Sequence, residues 1–480
     1  MKSGGRRETN AKDQIPQGGP TPGAGRGADA RAAATENRPG RLPQGRDDSS
    51  GCRRAARRLG SHQAQSQEGI AAGRDASVPM KLTIVQVDLR DKRVFLRADF
   101  NVPLAGDEIT DDTRIRAVLP TIECCFHNGA SVVLASHLGR PQGRQPQYSL
   151  KPVAFRLEEL LGQPVPLAPD CIGPVCEKLA ASLQPGRCLL LENLRFHAEE
   201  GANDSAFAQA LARLAHCYVN DAFSVSHRTH ASVVGITRFL RPAAAGLLMQ
   251  RELIVLDRIL DRPRRPFILI LGGARMSDKL GIVRNLVPQV DRILIGGAMA
   301  FTFLHALGQE TGRSPVEWDL VPTAKAILQD AAARRVEVLL PEDFVAAVHP
   351  ADRHWIRVVP ANRMPVALSG FDIGPATVTR FQRALQDAGT VVWNGPMGVV
   401  EHASFASGTE ALAKAVAGAR GLTVAAGGDT VAAVRRAGMA DELGYLSPSG
   451  EAFLKALEGQ PLPGVTALSD ESFYAAPAAR

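Results

Sequence analysis

The stretch Phe267-Ile268-Leu269-Ile270-Leu271-Gly272-Gly273-Ala274 decides the fold: five apolar residues in a row, then two glycines and an alanine. So short a run without charge reads as a strand buried on both faces, and the small residues as a turn at its carboxyl end. The cluster Arg262-Pro263-Arg264-Arg265-Pro266 just before it marks the start of a sheet. The same grammar recurs downstream. Residues 292–295 precede Gly296-Gly297-Ala298, residues 390–393 precede Asn394-Gly395-Pro396-Met397-Gly398, and residues 422–425 lie just before Gly427-Gly428-Asp429-Thr430. Upstream, residues 94–97, 131–135 and 188–191 are further short strands, and longer amphipathic segments separate them all. This alternation predicts an α/β protein with parallel sheets covered by helices, and no repeat of about 20 to 50 residues interrupts it.

At 480 residues the chain exceeds what one core organises. The expectation is two Rossmann-like three-layer lobes. A hydrophobic fraction of 45% suits that reading, and no run of about 18 uncharged apolar residues suggests a membrane span. The net charge of +7 is concentrated: residues 1–79 hold 14 Lys and Arg against 8 Asp and Glu, leaving the rest near neutral. The basic character belongs to an Arg/Gly-rich extension without periodicity, expected to be disordered or spurious, with Met80 as a candidate start. Nucleic acid is not expected as a partner. Gly23-Ala24-Gly25-Arg26-Gly27-Ala28 matches a dinucleotide fingerprint by its letters, but no strand precedes it. Seven cysteines (52, 124, 125, 171, 176, 188 and 217) include no C-x-x-C pair, so most of them read as buried thiols of a reducing cytoplasm.

Chemistry is expected at the strand ends. Four glycine turns in the second half, each expected to lead into a helix, favour a nucleotide or phosphate site, because ligands bind outside the carboxyl ends of parallel strands and glycine permits close backbone approach. No G-x-x-x-x-G-K-[ST] motif is present, which disfavours a P-loop kinase. Arg275 and Lys279, four apart, would share a helix face toward a phosphoryl group or form a plain solvated face. Asp429 would hold a phosphate-bound Mg²⁺ or cap the following helix. In the first half the polar residues at strand ends are mostly cationic: Arg114, His137, Arg140, Arg195, His227 and Arg228, with Asp99 and Asn101. Several guanidinium forks from different strands would build a small-anion pocket. An anion lobe facing a nucleotide lobe suggests phosphoryl transfer, and an already ionised acceptor would need no general base.

Eight stretches then resemble one family in order: RADFNVPL from Arg97, ITDDTRIRAVLPTI from Ile109, SHLGRP from Ser136, ENLRFH from Glu192, SHRTHAS from Ser226, GGARMSDK from Gly272, WNGPMGVVE from Trp393 and LEGQPLPGV from Leu457. The chain resembles phosphoglycerate kinase over about residues 80 to 466. The resemblance implies a cytoplasmic, monomeric, hinge-bending enzyme that moves a phosphoryl group between 1,3-bisphosphoglycerate and ADP, giving 3-phosphoglycerate and ATP. It implies that Asp99, Asn101, Arg114, His137, Arg140, Arg195 and Arg228 bind 3-phosphoglycerate, and that Arg114 and Lys279 are catalytic. Nucleotide contacts fall to Gly273, Arg275, Lys279, Gly297, Asn394, Glu401, Gly428, Asp429 and Thr430, with Mg²⁺ on Asp429. Residues 80–250 would form the 3-phosphoglycerate lobe and 251–461 the nucleotide lobe. Residues 462–480 would return to the first lobe, and the lobes would close about a connection near residues 246–251.

Some positions depart from the family pattern. Arg275 and Ala376 stand where lysine is usual, Ala298 and Ala426 where glycine is usual. The larger change is Ser447-Pro448-Ser449-Gly450-Glu451-Ala452, where the family reads Ser-Thr-Gly-Gly-Gly-Ala. Glu451 adds a carboxylate where a phosphoryl group should approach, so turnover below the family norm is expected. The alternative is a weakened or non-catalytic paralogue that binds the anion or the nucleotide.

Overall fold

The computed structural model describes residues 81–352 and 354–471. The expectations for residues 1–79, for Met80 as a start, for Cys52 and for residues 472–480 lie outside them.

Two parallel sheets organise the chain. The first orders its strands Cys188–Leu190, Ser131–Ala135, Arg93–Arg97, Cys217–Asn220 and Ala243–Ala245. The second runs Glu337–Leu339, Arg292–Ile295, Phe267–Leu271, Thr390–Asn394, Leu422–Ala425 and Tyr445–Leu446. Counted along each lobe, both follow the order third, second, first, fourth, fifth, and the second adds a sixth. That is the doubly wound order, so the expected α/β class with two Rossmann-like sheets holds. The reason is visible in the central strands: all five residues of Phe267–Leu271 are fully buried, because helices cover both faces. Unexpected from the sequence are a three-stranded antiparallel sheet, ordered Arg357–Pro360, Asp343–Ala347 and Ser369–Ile373, and the hairpin Leu104–Ala105 with Glu108–Ile109.

The expected connection at residues 246–251 is the beginning of one continuous helix, Leu247–Leu260. Its start is fixed by Asp221, whose Oδ1 accepts from the backbone N–H of Leu248 (2.9 Å) and Met249 (3.1 Å), two donors that a helix leaves unpaired. Burial pushes the Asp221 carboxyl up to about 6. One apolar cluster runs from Phe95 and Tyr218 through Met249, Leu256 and Ile259 of this helix to Phe267 and Leu269, so the two sheets share a core on one side. The end of the described chain lies against the first sheet: Ser469 donates to Ala243 O and accepts from Leu82 N, both at 2.8 Å. Gly464 N also donates to Ser226 O at 2.8 Å, directly behind the loop that carries His227 and Arg228.

Candidate functional site

In a doubly wound sheet the crevice opens where the strand order reverses, between the first and fourth strands of each lobe. In the first lobe that point lies between Arg93–Arg97 and Cys217–Asn220. Asp99 follows the former and is 7% exposed. Its Oδ2 accepts from Arg114 NH1 at 2.6 Å and from the Ser224 hydroxyl, and its Oδ1 accepts from Asn101 N at 3.0 Å. Asn101 Oδ1 accepts from Gly139 N (2.8 Å), and Arg195 NH1 donates to Gly139 O (2.6 Å), which ties the loop after Ser131–Ala135 to the same centre. Arg140, next in that loop, is exposed.

His137 is buried, with Nδ1 3.2 Å from Arg97 NH2. Burial, reinforced by Arg97, Arg195 and Arg114, holds its pKa well below the ordinary value, so the ring is neutral at neutral pH. Burial and the neighbouring Arg97 and Arg228 bring Arg195 down to about 10, and burial with Arg97 and Arg195 brings His230 to about 4. These shifts have one meaning. Arg97, Arg114, Arg140, Arg195 and Arg228 crowd one another, while the carboxylates among them are fewer: Asp99, Glu451 from the second lobe, and the buried Glu200, which is taken up by Ser232 N (2.9 Å) and Oγ (2.6 Å). Such an excess of guanidinium charge is relieved by an anionic ligand.

In the second lobe the reversal lies between Phe267–Leu271 and Thr390–Asn394, where the glycine turns interlock backbone to backbone. Gly272 N donates to Asn394 O (3.0 Å), Gly273 N to Pro396 O (2.8 Å) and Gly297 N to Met397 O (3.1 Å). Gly395 has φ +99, and a Cβ there would lie 2.2 Å from Gly272 O, so no other residue fits. Thr430 Oγ1 accepts from Gly395 N at 2.7 Å, and Asn394 Nδ2 donates to Ala426 O at 2.7 Å, which draws in the fourth turn. Asn394 is 2% exposed and its Oδ1 has no partner among the described residues, an unspent acceptor at the bottom of the crevice. Arg436 NH1 holds Val400 O, and the next residue, Glu401, is exposed. Of the substituted alanines, Ala426 is buried, Ala298 half-buried and Ala376 exposed.

Two sequence expectations are corrected here. Of the four turns, Gly296-Gly297-Ala298 and Gly427-Gly428 lead directly into helices, Ala300–Ala306 and Gly428–Arg436, whereas the other two do not. Nor do Arg275 and Lys279 share a helix face. The segment after Gly272 is a loop closed by the 3-10 turn Ser277–Lys279, and the helix begins only at Leu280. Glu317 imposes this by accepting the backbone N–H of Met276 and Ser277. Arg275 is exposed and pairs with Asp278 (3.1 Å), while Lys279 is partly buried. Burial lowers the Lys279 pKa, opposed by Asp278, Asp429 and Glu458, so Lys279 and Asp429 feel one another. Asp429 stands exposed in the first turn of Gly428–Arg436, whose N-cap is Gly427 without a side-chain cap bond; the capping alternative falls and its oxygens face solvent.

Contacts also cross between the lobes. Arg435 NH1 lies 3.8 Å from Asp111 Oδ2, three residues before Arg114, and Glu451 reaches His227 and Arg228. The altered loop before Glu451 is pinned to the linking helix: Ser447 and Ser449 hydroxyls both bond Glu252, which is fully buried and pushed up to about 7 by that burial. Arg97, Ser224, Glu252 and Glu317 were not singled out as site residues from the sequence. Arg97 alone carried a signal, as a charge closing an apolar strand; the others act on partners 40 or more residues away.

Two switch-point crevices, one cationic and one glycine-lined, in a chain without a P-loop define a two-lobed α/β phosphotransferase. The phosphoglycerate kinase family model matches residues 84–460. The chain is 51% identical over 392 residues to phosphoglycerate kinase of Moorella thermoacetica, covering 82% of this chain and 100% of that one. It is 50% identical over 392 residues to the cytosolic phosphoglycerate kinase of Triticum aestivum, covering 81% and 98%. Among solved structures, phosphoglycerate kinase from Coxiella burnetii aligns with TM-score 0.76 at 36% identity, and that from Pyrococcus horikoshii with 0.70 at 32%, each covering 81% of this chain and 98% of the other. The chain belongs to the phosphoglycerate kinase family.

Proposed function

We propose that this chain catalyses reversible phosphoryl transfer between 1,3-bisphosphoglycerate and ADP, giving 3-phosphoglycerate and ATP, as a cytoplasmic monomer. The observation that carries the reading is the guanidinium cluster at the first lobe's switch point, in excess over the carboxylates paired with it, together with the second lobe's interlocked glycine turns. Residues 81–250 serve as the phosphoglycerate lobe and 251–461 as the nucleotide lobe, with 462–471 returning to the first. No helix among the described residues is long and apolar enough to cross a membrane.

In this reading Asp99, Asn101, His137, Arg140, Arg195 and Arg228 orient the carboxylate and phosphate of 3-phosphoglycerate, with Arg114 held toward it by Asp99. The neutral His137 donates or accepts without adding charge to an already cationic pocket. Gly273, Gly297, Gly428, Arg275, Asn394, Glu401 and Thr430 hold the nucleotide, the free Asn394 oxygen accepting from it. Arg114 from one lobe and Lys279 from the other neutralise the migrating phosphoryl group, and the acceptor carboxylate attacks without a base. The uncommitted Asp429 carboxylate suits Mg²⁺, which would neutralise nucleotide phosphate oxygens. Closure of the lobes excludes water and strengthens each of these interactions.

The test is a coupled steady-state assay of the full chain with 3-phosphoglycerate and MgATP. Sustained ADP formation dependent on both substrates is the expected result; binding of either ligand without transfer would select a non-catalytic relative instead.

A further inference from the structure

Glu451 opens the short helix Glu451–Leu457 in the second lobe, yet its carboxylate is spent on the first. Its Oε2 lies 3.5 Å from Arg228 NH2 and 3.4 Å from His227 Nε2. The natural partner on its own helix would be Lys455, four residues on, but Lys455 is paired with Glu458 at 2.9 Å. His227 contributes no charge of its own: its Nε2 accepts from Arg228 Nε at 3.0 Å, which leaves the ring neutral, and burial lowers its pKa. The charged contact is therefore carboxylate to guanidinium. Among the described residues Glu451 is the acid paired with Arg228.

The loop delivers this carboxylate to a defined place. Ser447 and Ser449 anchor to buried Glu252, Pro448 between them restricts the backbone, and Gly450 turns the chain with φ +49. On the other side, Gly464 N bonds Ser226 O and fixes the loop of Arg228. Two independently anchored loops thus meet in one cross-lobe ion pair.

We propose that Glu451 is an internal counter-anion of Arg228: a second-lobe carboxylate that occupies the guanidinium needed by the anionic substrate, and that this substrate must displace. Glu451 is then a positioning residue that acts through Arg228 to set the affinity for phosphoglycerate, leaving the nucleotide side untouched. The inference rests on the reading of Arg228 as a substrate ligand. Because the Glu451 side chain is 58% exposed, the pair is weak and solvent-screened, so displacement modulates binding and does not block it. An exposed pair of this kind is worth about two- to five-fold in affinity.

The experiment compares the full chain with its Glu451→Gln and Glu451→Ala variants, reading KM for 3-phosphoglycerate and for MgATP separately. Calorimetric titration with 3-phosphoglycerate alone supplies Kd without requiring turnover. Both KM and Kd for 3-phosphoglycerate should fall about two- to five-fold in both variants, while KM for MgATP stays put. In an Arg228→Gln background the Glu451→Gln change should no longer move Kd. Unchanged or weakened 3-phosphoglycerate binding in both variants would overturn the proposal. So would an effect that persists without Arg228, or no binding to any of the proteins. If the chain binds but does not transfer, the proposed activity fails while the Kd comparison still decides the role of Glu451.

Discussion

Replacing Glu252 by glutamine should make the stability gap between variant and parent grow as pH rises. Glu252 is fully buried in the linking helix and bonded to the Ser447 and Ser449 hydroxyls of the second lobe. Its pKa is raised from 4.5 to about 7, burial being the larger cause and the serine hydrogen bonds opposing it. Between those two values the folded protein keeps a proton that the unfolded chain has released. Stability from this group is therefore fully present below 4.5 and lost as pH rises through about 7. Each unit is worth about 1.4 kcal/mol, so the whole loss is ~3 kcal/mol. Glutamine keeps the shape and the hydrogen bonds but has no proton to lose. With an unfolding entropy of about 2.1 cal/mol/K per residue over a fold of this size, the gap in Tm should open by roughly 4 °C between about pH 5 and pH 8. Asp221 and Asp372, raised to about 6 and about 7 by burial, impose the same slope on both proteins and cancel in the difference, as do the histidines. Thermal unfolding of both proteins at constant ionic strength is the assay. A gap that stays constant over that range would refute the assignment of a buried, protonated carboxyl to the lobe junction.

Gly395→Ala should cost about 3 kcal/mol or more, since its Cβ would collide with Gly272 O at a φ of +99; urea unfolding reads this, and Gly428→Ala, which meets nothing within 4 Å, is the control. Asp429→Asn should lower turnover by roughly 10²-fold and shift its Mg²⁺ dependence to higher concentration with Tm unchanged; a preserved Mg²⁺ titration would remove Asp429 from the metal site. Restoring the family loop with Pro448→Thr, Ser449→Gly and Glu451→Gly together should raise turnover, and an unchanged kcat would mean that the loop does not limit it.

Much of the fold was legible because strands buried on both faces leave runs that no helix of the surface type would carry. Residues 131–135, 267–271, 292–295 and 422–425 read off with the bounds they have in the structure. Ala243–Ala245 and Tyr445–Leu446 escaped because strands of two or three residues are too short to show a period. The antiparallel sheet around Asp343–Ala347 escaped for another reason: its edge strand Arg357–Pro360 is largely exposed and has no apolar run. The segment after Gly272 misled because Arg275 and Lys279 have helical spacing, while Glu317, some forty residues on, withdraws the N–H groups and holds a loop.

The residues whose partners are distant show what local reading cannot reach. Glu451 at a helix start is, by its neighbours alone, a charge favourable to the helix end and hostile to a phosphoryl group. Its structural partner depends on three facts from elsewhere in the chain: Lys455 prefers Glu458, Glu252 pins the serines before it, and the returning segment at Gly464 holds the Arg228 loop. The same holds for Asp99, whose Oδ2 takes both Arg114 and Ser224, a residue more than a hundred positions later. Letters mark which groups can meet an anion, and the doubly wound order marks where along each sheet they collect. Which carboxylate answers which guanidinium is decided by how the lobes are tied together. A glycine replaced by glutamate at that junction therefore changes the first lobe's charge balance although it lies in the second.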